Sequence, residues 1–205
     1  MPPRPSKIVC VGRNYLEHAR ELGNEMPERP LLFLKPPSSL VRSGETILLP
    51  PESNQVDHEA EIGVIIGRRC SRVVAAEALE YVGWYAPLND VTARDLQRAD
   101  GQWTRGKGFD TFCPLGEAVE ATGSDPTQLE VVGRVNGEVR QRGSASQMAF
   151  PIPVLIEYIS GIMTLEPGDV IATGTPAGVG PLKDGDVVEV EVPGVGTLSN
   201  PVRAR

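Results

Sequence analysis

The sequence predicts an α+β fold that is mostly β, a mixed sheet arrangement with a few short helices. Three observations lead there. The strand-like segments are short, β-branched and bounded by Gly, Pro or Asp. The helix-like segments are brief and do not alternate regularly with strands, which argues against a doubly wound parallel sheet. The 22 glycines and 19 prolines follow no period, so tight turns abound while a collagen repeat and a low-complexity linker are absent. One domain over 1–205 is expected. It would have an N-terminal segment of about 1–50 and a β-rich body of about 51–205.

The elements follow in order. Residues 7–12 (KIVCVG) read as a short apolar strand. Residues 14–22 (NYLEHAREL) read as a helix, with Asn14 as cap, Glu17 completing a capping box and Gly23 as terminator. The polar stretch 24–30 is a proline-broken loop, and 31–50 holds two apolar runs around a Pro-Pro turn. Residues 59–66 (EAEIGVII) form a strand, 75–82 a brief helix and 82–90 (VGWYAPLND) a second strand. Thr92 is placed to cap a helix running to about Ala99, with Gly101 just past its end. The second half reads as strands at 129–135, 169–173 and 187–192, interrupted by one helix near 153–163.

Composition excludes several functions. Hydrophobic content of 40% and charged content of 23% are those of a globular chain. At this length roughly two thirds of the unfolded surface can be buried. The net charge of −7, from 20 Lys+Arg against 27 Asp+Glu, leaves no basic face for nucleic acid, and aromatics are only 5%. The apolar run from Ile152 to Met163 is interrupted by Pro153, Glu157, Ser160 and Gly161. It is far short of the roughly 20 residues a membrane helix needs. The N-terminus shows no apolar signal core. Cys10, Cys70 and Cys113 are odd in number and far apart, which fits small buried thiols in a reducing cytoplasm.

Three residue groups carry chemistry. Glu59 and Glu61, two apart on a strand, point to one face. Asp90 ends an apolar row shared with Val82, Trp84, Ala86 and Leu88. Such a carboxylate set suits a divalent cation bound by oxygen, Mg²⁺, Mn²⁺ or Ca²⁺ rather than zinc; it equally suits a solvated strand face with a capped turn. His18 and Glu21 are three apart on a helix, where a carboxylate can orient an imidazole that activates water. The same spacing also describes an ordinary surface pair. Lys107 lies between glycines in RGKGFD, open to a ligand or simply a loop lysine. The TGTPAGVG run at 173–180 reads as a tight loop able to present backbone N–H groups and Thr175 to an anion.

Together these segments resemble the fumarylacetoacetate hydrolase family. The branch is that of short acylpyruvases and oxaloacetate decarboxylases, which overlaps with 2-hydroxyhepta-2,4-diene-1,7-dioate isomerases. The matching pieces are VGRNYLEHARE (11–21), FLKPPSSL (33–40), HEAEIGVIIG (58–67), the strand ending in Asp90, TARDLQ (92–97), WTRGKGFD (103–110) and GDVIATGTPAGVG (168–180). They span nearly the whole chain in family order. The resemblance implies that Glu59, Glu61 and Asp90 bind Mg²⁺ or Mn²⁺, and that His18 and Glu21 form a water-activating dyad on a mobile helix near 14–22. It implies a catalytic Lys107, with Gln97, Arg13, Arg94 and Thr175 beside the substrate.

Also implied are a mixed β-sandwich or roll, a homodimer, and a small 2-oxo acid substrate with no nucleic-acid or membrane partner. The expected chemistry passes through an enolate, as acylpyruvate hydrolysis or oxaloacetate decarboxylation. Diene isomerisation is an alternative, and a non-catalytic metal-stabilised scaffold is an alternative of another class. Burial beside a cation is expected to favour a neutral Lys107. The chain departs from family usage at Asp57, before His58, and in a short segment between Asp90 and Lys107; both flank the pocket.

Overall fold

The computed structural model describes residues 2–205. Two sheets face each other. The larger has six strands in the order Val119–Glu120, Val82–Asn89, Ala60–Ile66, Val170–Ala172, Ile8–Gly12, Leu31–Lys35. The second has five, in the order Glu138–Ser144, Glu130–Val135, Val187–Val192, Gly196–Ala204, Ile47–Leu49. Pairings are mostly antiparallel, but Ile8–Gly12 runs parallel to Val170–Ala172, and Ile47–Leu49 runs parallel to Gly196–Ala204. This is the α+β, mostly β arrangement that the short runs predict.

Side-chain alternation divides the core. Along Ala60–Ile66 the even positions Ile62, Val64 and Ile66 face the second sheet. There they meet Val131, Val190 and Leu198, and the Ile152–Ile162 helix packs Leu155, Ile156 and Ile159 on the same cluster. The odd position Ile65 faces the other way, with Ala86, Leu88, Val170, Ala172 and Cys10. At about 25 cal/mol per Å² of apolar surface, burial of this kind is the main term holding the sheets together. No helix among the described residues is long and apolar enough to cross a membrane.

Several local expectations need correction. The first helix runs only from Leu16 to Glu21, and its N-terminal flanking residue is Tyr15, with no side-chain cap. Asn14 is drawn away from the helix end. Its amide donates to the carbonyls of Phe150 (3.1 Å) and Thr173 (2.7 Å), and its Oδ1 accepts from the Phe150 N–H. Likewise Thr92 does not cap the Arg94–Asp100 helix; its hydroxyl donates to the Asp90 carbonyl at 2.8 Å. The 75–82 segment is a 3₁₀ helix, Ala75–Tyr81. Besides several short strands, two longer ones escape the sequence pattern. Glu138–Ser144 is an edge strand whose side chains are mostly exposed, so it has no apolar alternation. Gly196–Ala204 hides behind Asn200 and Pro201, although Leu198, Asn200 and Val202 alternate inward.

Candidate active site

The strand register builds the acidic cluster. Ala60–Ile66 pairs with Val82–Asn89 so that Glu61 lies opposite Leu88 and Ala60 opposite Asn89. Continuing one step, the Asp90 N–H donates to the Glu59 carbonyl at 2.9 Å. Glu59 and Asp90 are therefore opposite each other, with Glu61 on the diagonal, all on the face that carries Ile65, Ala86 and Leu88. Asp90 does end the apolar row, just beyond the strand. All three carboxylates are buried, and one oxygen from each lies within 4.8 Å of the others. A solvated strand face is thereby excluded.

Buried charge on this scale must be compensated. Lys107 Nζ donates to Glu59 at 2.8 Å and to Asp90 at 2.6 Å. Lys35 Nζ pairs with the other Asp90 oxygen and donates to the Val91 carbonyl at 2.9 Å. Arg94 engages all three guanidinium nitrogens: Nε with Asp57 at 2.9 Å, one Nη with Glu59 at 2.6 Å and the other with Gln97 at 2.8 Å. Burial alone would raise the Glu59 carboxyl, but Lys107 and Arg94 outweigh it and hold the group well below its usual range. Burial would lower Lys107, yet Asp90 and Glu59 drive its ammonium above the usual lysine value. In the cation-free site the two carboxylates outweigh the burial of the ammonium. Lys107 is also not on a flexible loop: it closes the short Thr104–Lys107 helix and is buried.

Glu61 stands apart. It accepts one backbone N–H, from Gly174 at 2.8 Å, and contacts no cationic side chain. Burial first, then Asp90 and Glu59, push its carboxyl well above the ordinary value. An oxygen-only donor set containing one under-compensated buried carboxylate fits a divalent cation, whose charge would reverse that shift. Glu59, Glu61 and Asp90 are the residues that would hold it.

The cluster floors a cavity of about 350 Å³. Arg13, His18, Arg94, Gln97, Lys107 and Thr175 also line it, so every residue singled out from the sequence faces it except Glu21. Glu21 reaches it indirectly. One carboxylate oxygen is 3.1 Å from His18 Nδ1, and the other accepts the Gly178 N–H at 2.9 Å. His18 is buried, which removes the surface-pair reading. Arg13 sits at φ +57°, a left-handed conformation uncommon outside glycine. Opposite, Phe33 and Trp103 meet edge to face at 5.1 Å and form an apolar wall. A Cβ on Gly12 would stand 2.7 Å from the Trp103 ring, so a larger residue there would push that ring aside.

Sequence reasoning gave no role to Lys35 or Gln141. Lys35 lies inside FLKPPSSL, and the rarity of lysine in this chain was the available signal. Asp57, noted as a departure, proves to be the partner of Arg94 Nε.

Known proteins share this fold and much of this sequence. The family model for the fumarylacetoacetate hydrolase C-terminal domain matches residues 7–203. A protein named mitochondrial oxaloacetate tautomerase FAHD1, from Arabidopsis thaliana, is 46% identical over 98% of this chain and 92% of its own. A solved 5-carboxymethyl-2-hydroxymuconate delta-isomerase from Mycobacterium smegmatis superposes with a TM-score of 0.91. It has 50% identity and covers 98% of this chain and 80% of its own. The fumarylpyruvate hydrolase from Pseudomonas aeruginosa, solved with Mn²⁺ and pyruvate, gives a TM-score of 0.93 at 31% identity. It covers 100% of this chain and 98% of its own. With its fold and nearly its whole length matched, the chain belongs to the fumarylacetoacetate hydrolase family of enzymes.

Proposed function

We propose that this chain is a divalent-cation-dependent enzyme that takes short 2-oxo acids through their enolates. The observation that carries the reading is the buried Glu59–Glu61–Asp90 cluster at the floor of a cavity walled by cationic and hydrogen-bonding side chains. Glu59, Glu61 and Asp90 would hold Mg²⁺ or Mn²⁺, which would supply positive charge to stabilise the enolate oxygen of the bound acid. Lys107, paired with Glu59 and Asp90, would add positive charge where the enolate develops. Arg94 steadies Glu59 and Gln97. Gln97, Arg13 and Thr175 orient the substrate carboxylate. His18, oriented through Nδ1 by Glu21, moves the proton at the carbon next to the keto group.

Keto–enol tautomerisation of oxaloacetate asks for nothing more than this. The similarity to a named oxaloacetate tautomerase supports it. C–C cleavage is the second reading. It covers hydrolysis of an acylpyruvate by water that the His18–Glu21 dyad activates, and decarboxylation of oxaloacetate to the pyruvate enolate. The dyad, with its carboxylate anchored on Gly178, favours this reading. We propose further that the chain acts as one catalytic domain, as a homodimer, in the cytoplasm. The three buried, unpaired cysteines suit that reducing compartment.

The test is one set of assays with Mg²⁺, Mn²⁺ or EDTA. Enol decay is followed in the ultraviolet with oxaloacetate, and pyruvate release with oxaloacetate and with acetylpyruvate. Cation-dependent enol decay without pyruvate release gives the tautomerase. Cation-dependent pyruvate release gives the lyase or hydrolase, and then His18→Ala should remove acetylpyruvate hydrolysis while largely sparing decarboxylation. Glu61→Ala should abolish every activity. Turnover insensitive to EDTA would sink the proposal.

A further inference from the structure

The edge strand Glu138–Ser144 carries no residue with an assigned role, yet it reaches the site through one buried side chain. Gln141 is 1% exposed and fills all four hydrogen-bonding positions of its amide. Its Oε1 accepts the Ala60 N–H at 2.9 Å and lies 2.9 Å from His58 Nδ1. Its Nε2 donates to Thr175 Oγ1 at 2.7 Å and to the Pro176 carbonyl at 2.8 Å. The amide cannot be turned around: a backbone N–H must meet Oε1 and a backbone carbonyl must meet Nε2. With Oε1 an acceptor, His58 Nδ1 must be the donor.

Ala60 is the residue between Glu59 and Glu61, and Thr175 lines the cavity. One amide therefore ties the acidic segment to the substrate loop. Neighbouring glycines clear its path. A Cβ on Gly133, directly opposite Gln141 in the sheet, would stand 2.9 Å from Ala60 Cβ and 3.1 Å from Gln141 Oε1. A Cβ on Gly178 would stand 2.0 Å from the Arg140 carbonyl, so the substrate loop rests directly on this strand. The Thr175 hydroxyl also donates to the Ala60 carbonyl at 2.8 Å. Its only proton is thereby committed to Ala60, so the hydroxyl can donate to a substrate carboxylate only by turning away from that carbonyl, about the oxygen that Gln141 holds.

We propose that Gln141 is a positioning residue, which fixes Thr175 against the Glu59–Glu61 segment so that the loop is set for the substrate carboxylate before substrate arrives. The proposal rests on the enolate reading above, and its effect is on substrate binding rather than on the cation.

The experiment measures Mn²⁺ binding and then pyruvate binding to the Mn²⁺-loaded protein, both by calorimetry. Wild type, Gln141→Leu, Gln141→Glu, Thr175→Val and the double variant Gln141→Leu/Thr175→Val are compared. Gln141→Glu keeps an acceptor for Ala60 and His58 but loses the donor arm, so it serves if Gln141→Leu does not fold. Pyruvate is expected to bind at least tenfold more weakly to either Gln141 variant, with the Mn²⁺ Kd unchanged within about threefold. The double variant should be no weaker than Thr175→Val alone. In turnover, KM should rise while kcat stays within about threefold. In cation-free protein the amides of 174–178 should exchange at least tenfold faster in the Gln141 variants. Unchanged pyruvate affinity, losses that multiply in the double variant, or a Mn²⁺ Kd that rises together with the pyruvate Kd would each overturn the proposal. Wild type that binds neither Mn²⁺ nor pyruvate would instead overturn the enolate reading.

Discussion

Glu61 has one backbone N–H for compensation, whereas Glu59 has Lys107 and Arg94. The two carboxyls therefore respond to pH in opposite senses. The Glu61 carboxyl is raised in the fold above its ordinary 4.5, so folding holds a proton that the unfolded chain releases. Its cost is nil below that pH and grows as pH climbs above it. Glu59 is lowered, so its contribution is present above 4.5 and lost on acidification. In EDTA, Glu61→Gln should melt above wild type at pH 8, with the gap closing towards pH 4. A gap that does not change with pH would show that Glu61 carries no such burden. The same residue-level accounting applies to Lys35. Removing one partner of a buried pair strands the other, at a cost of about 3–5 kcal/mol. Asp90 keeps Lys107, so Lys35→Met should cost about 3 kcal/mol in urea unfolding, and a loss under 1 kcal/mol would refute the pairing as structural.

The Leu16–Glu21 helix has six residues and no side-chain cap. Alone it would not persist, since isolated helices shorter than roughly 12–15 residues are marginal in water. It is held by the buried Ala19 and Tyr15 and by Glu21 on the Gly178 N–H. An element so lightly fastened is expected to open locally more readily than the sheet it rests on. Glu21→Ala should speed amide exchange across Leu16–Glu21 at least tenfold while leaving Mn²⁺ affinity unchanged. Equal protection in wild type and variant would mean that Glu21 does not latch the helix. The sheet elements behave differently. Glu59 and Asp90 are locked in register by the Ala60–Ile66 and Val82–Asn89 pairing, so the carboxylates stay put whatever the helix does.

At the scale of the molecule, the acidic floor couples cation binding to stability. A ligand at 100 times its Kd stabilises the fold by about 2.7 kcal/mol. For a chain of this size each kcal/mol moves Tm by about 2–4 °C. Saturating Mn²⁺ or Mg²⁺ should therefore raise Tm by about 5–10 °C over EDTA in a thermal melt, and Glu61→Gln should lose most of that rise. No shift in wild type would contradict a cation site at the three carboxylates. The site gathers at one end of the six-stranded sheet. There the C-terminal ends of the parallel strands Ile8–Gly12 and Val170–Ala172 deliver Arg13 and Thr175 beside Glu59, Glu61 and Asp90.

The sequence by itself determined the mostly β class and the two strands bearing the acidic residues, while the further side chains that gather on one cavity were named through the family resemblance. Period-two alternation is local, and it put Glu59 and Glu61 on one face before any partner was known. Only the tertiary structure decided what compensates them. Lys35 is 55 residues from Asp90 and Gln141 is 81 from Ala60, and no spacing rule spans such separations. For the same reason Asn14 and Thr92, sound helix caps by local preference, bond elsewhere: a buried carbonyl needing a donor outweighs a cap. The pairing of Lys107 was likewise beyond the sequence, because it depends on two carboxylates that the fold sets within 3 Å of its nitrogen.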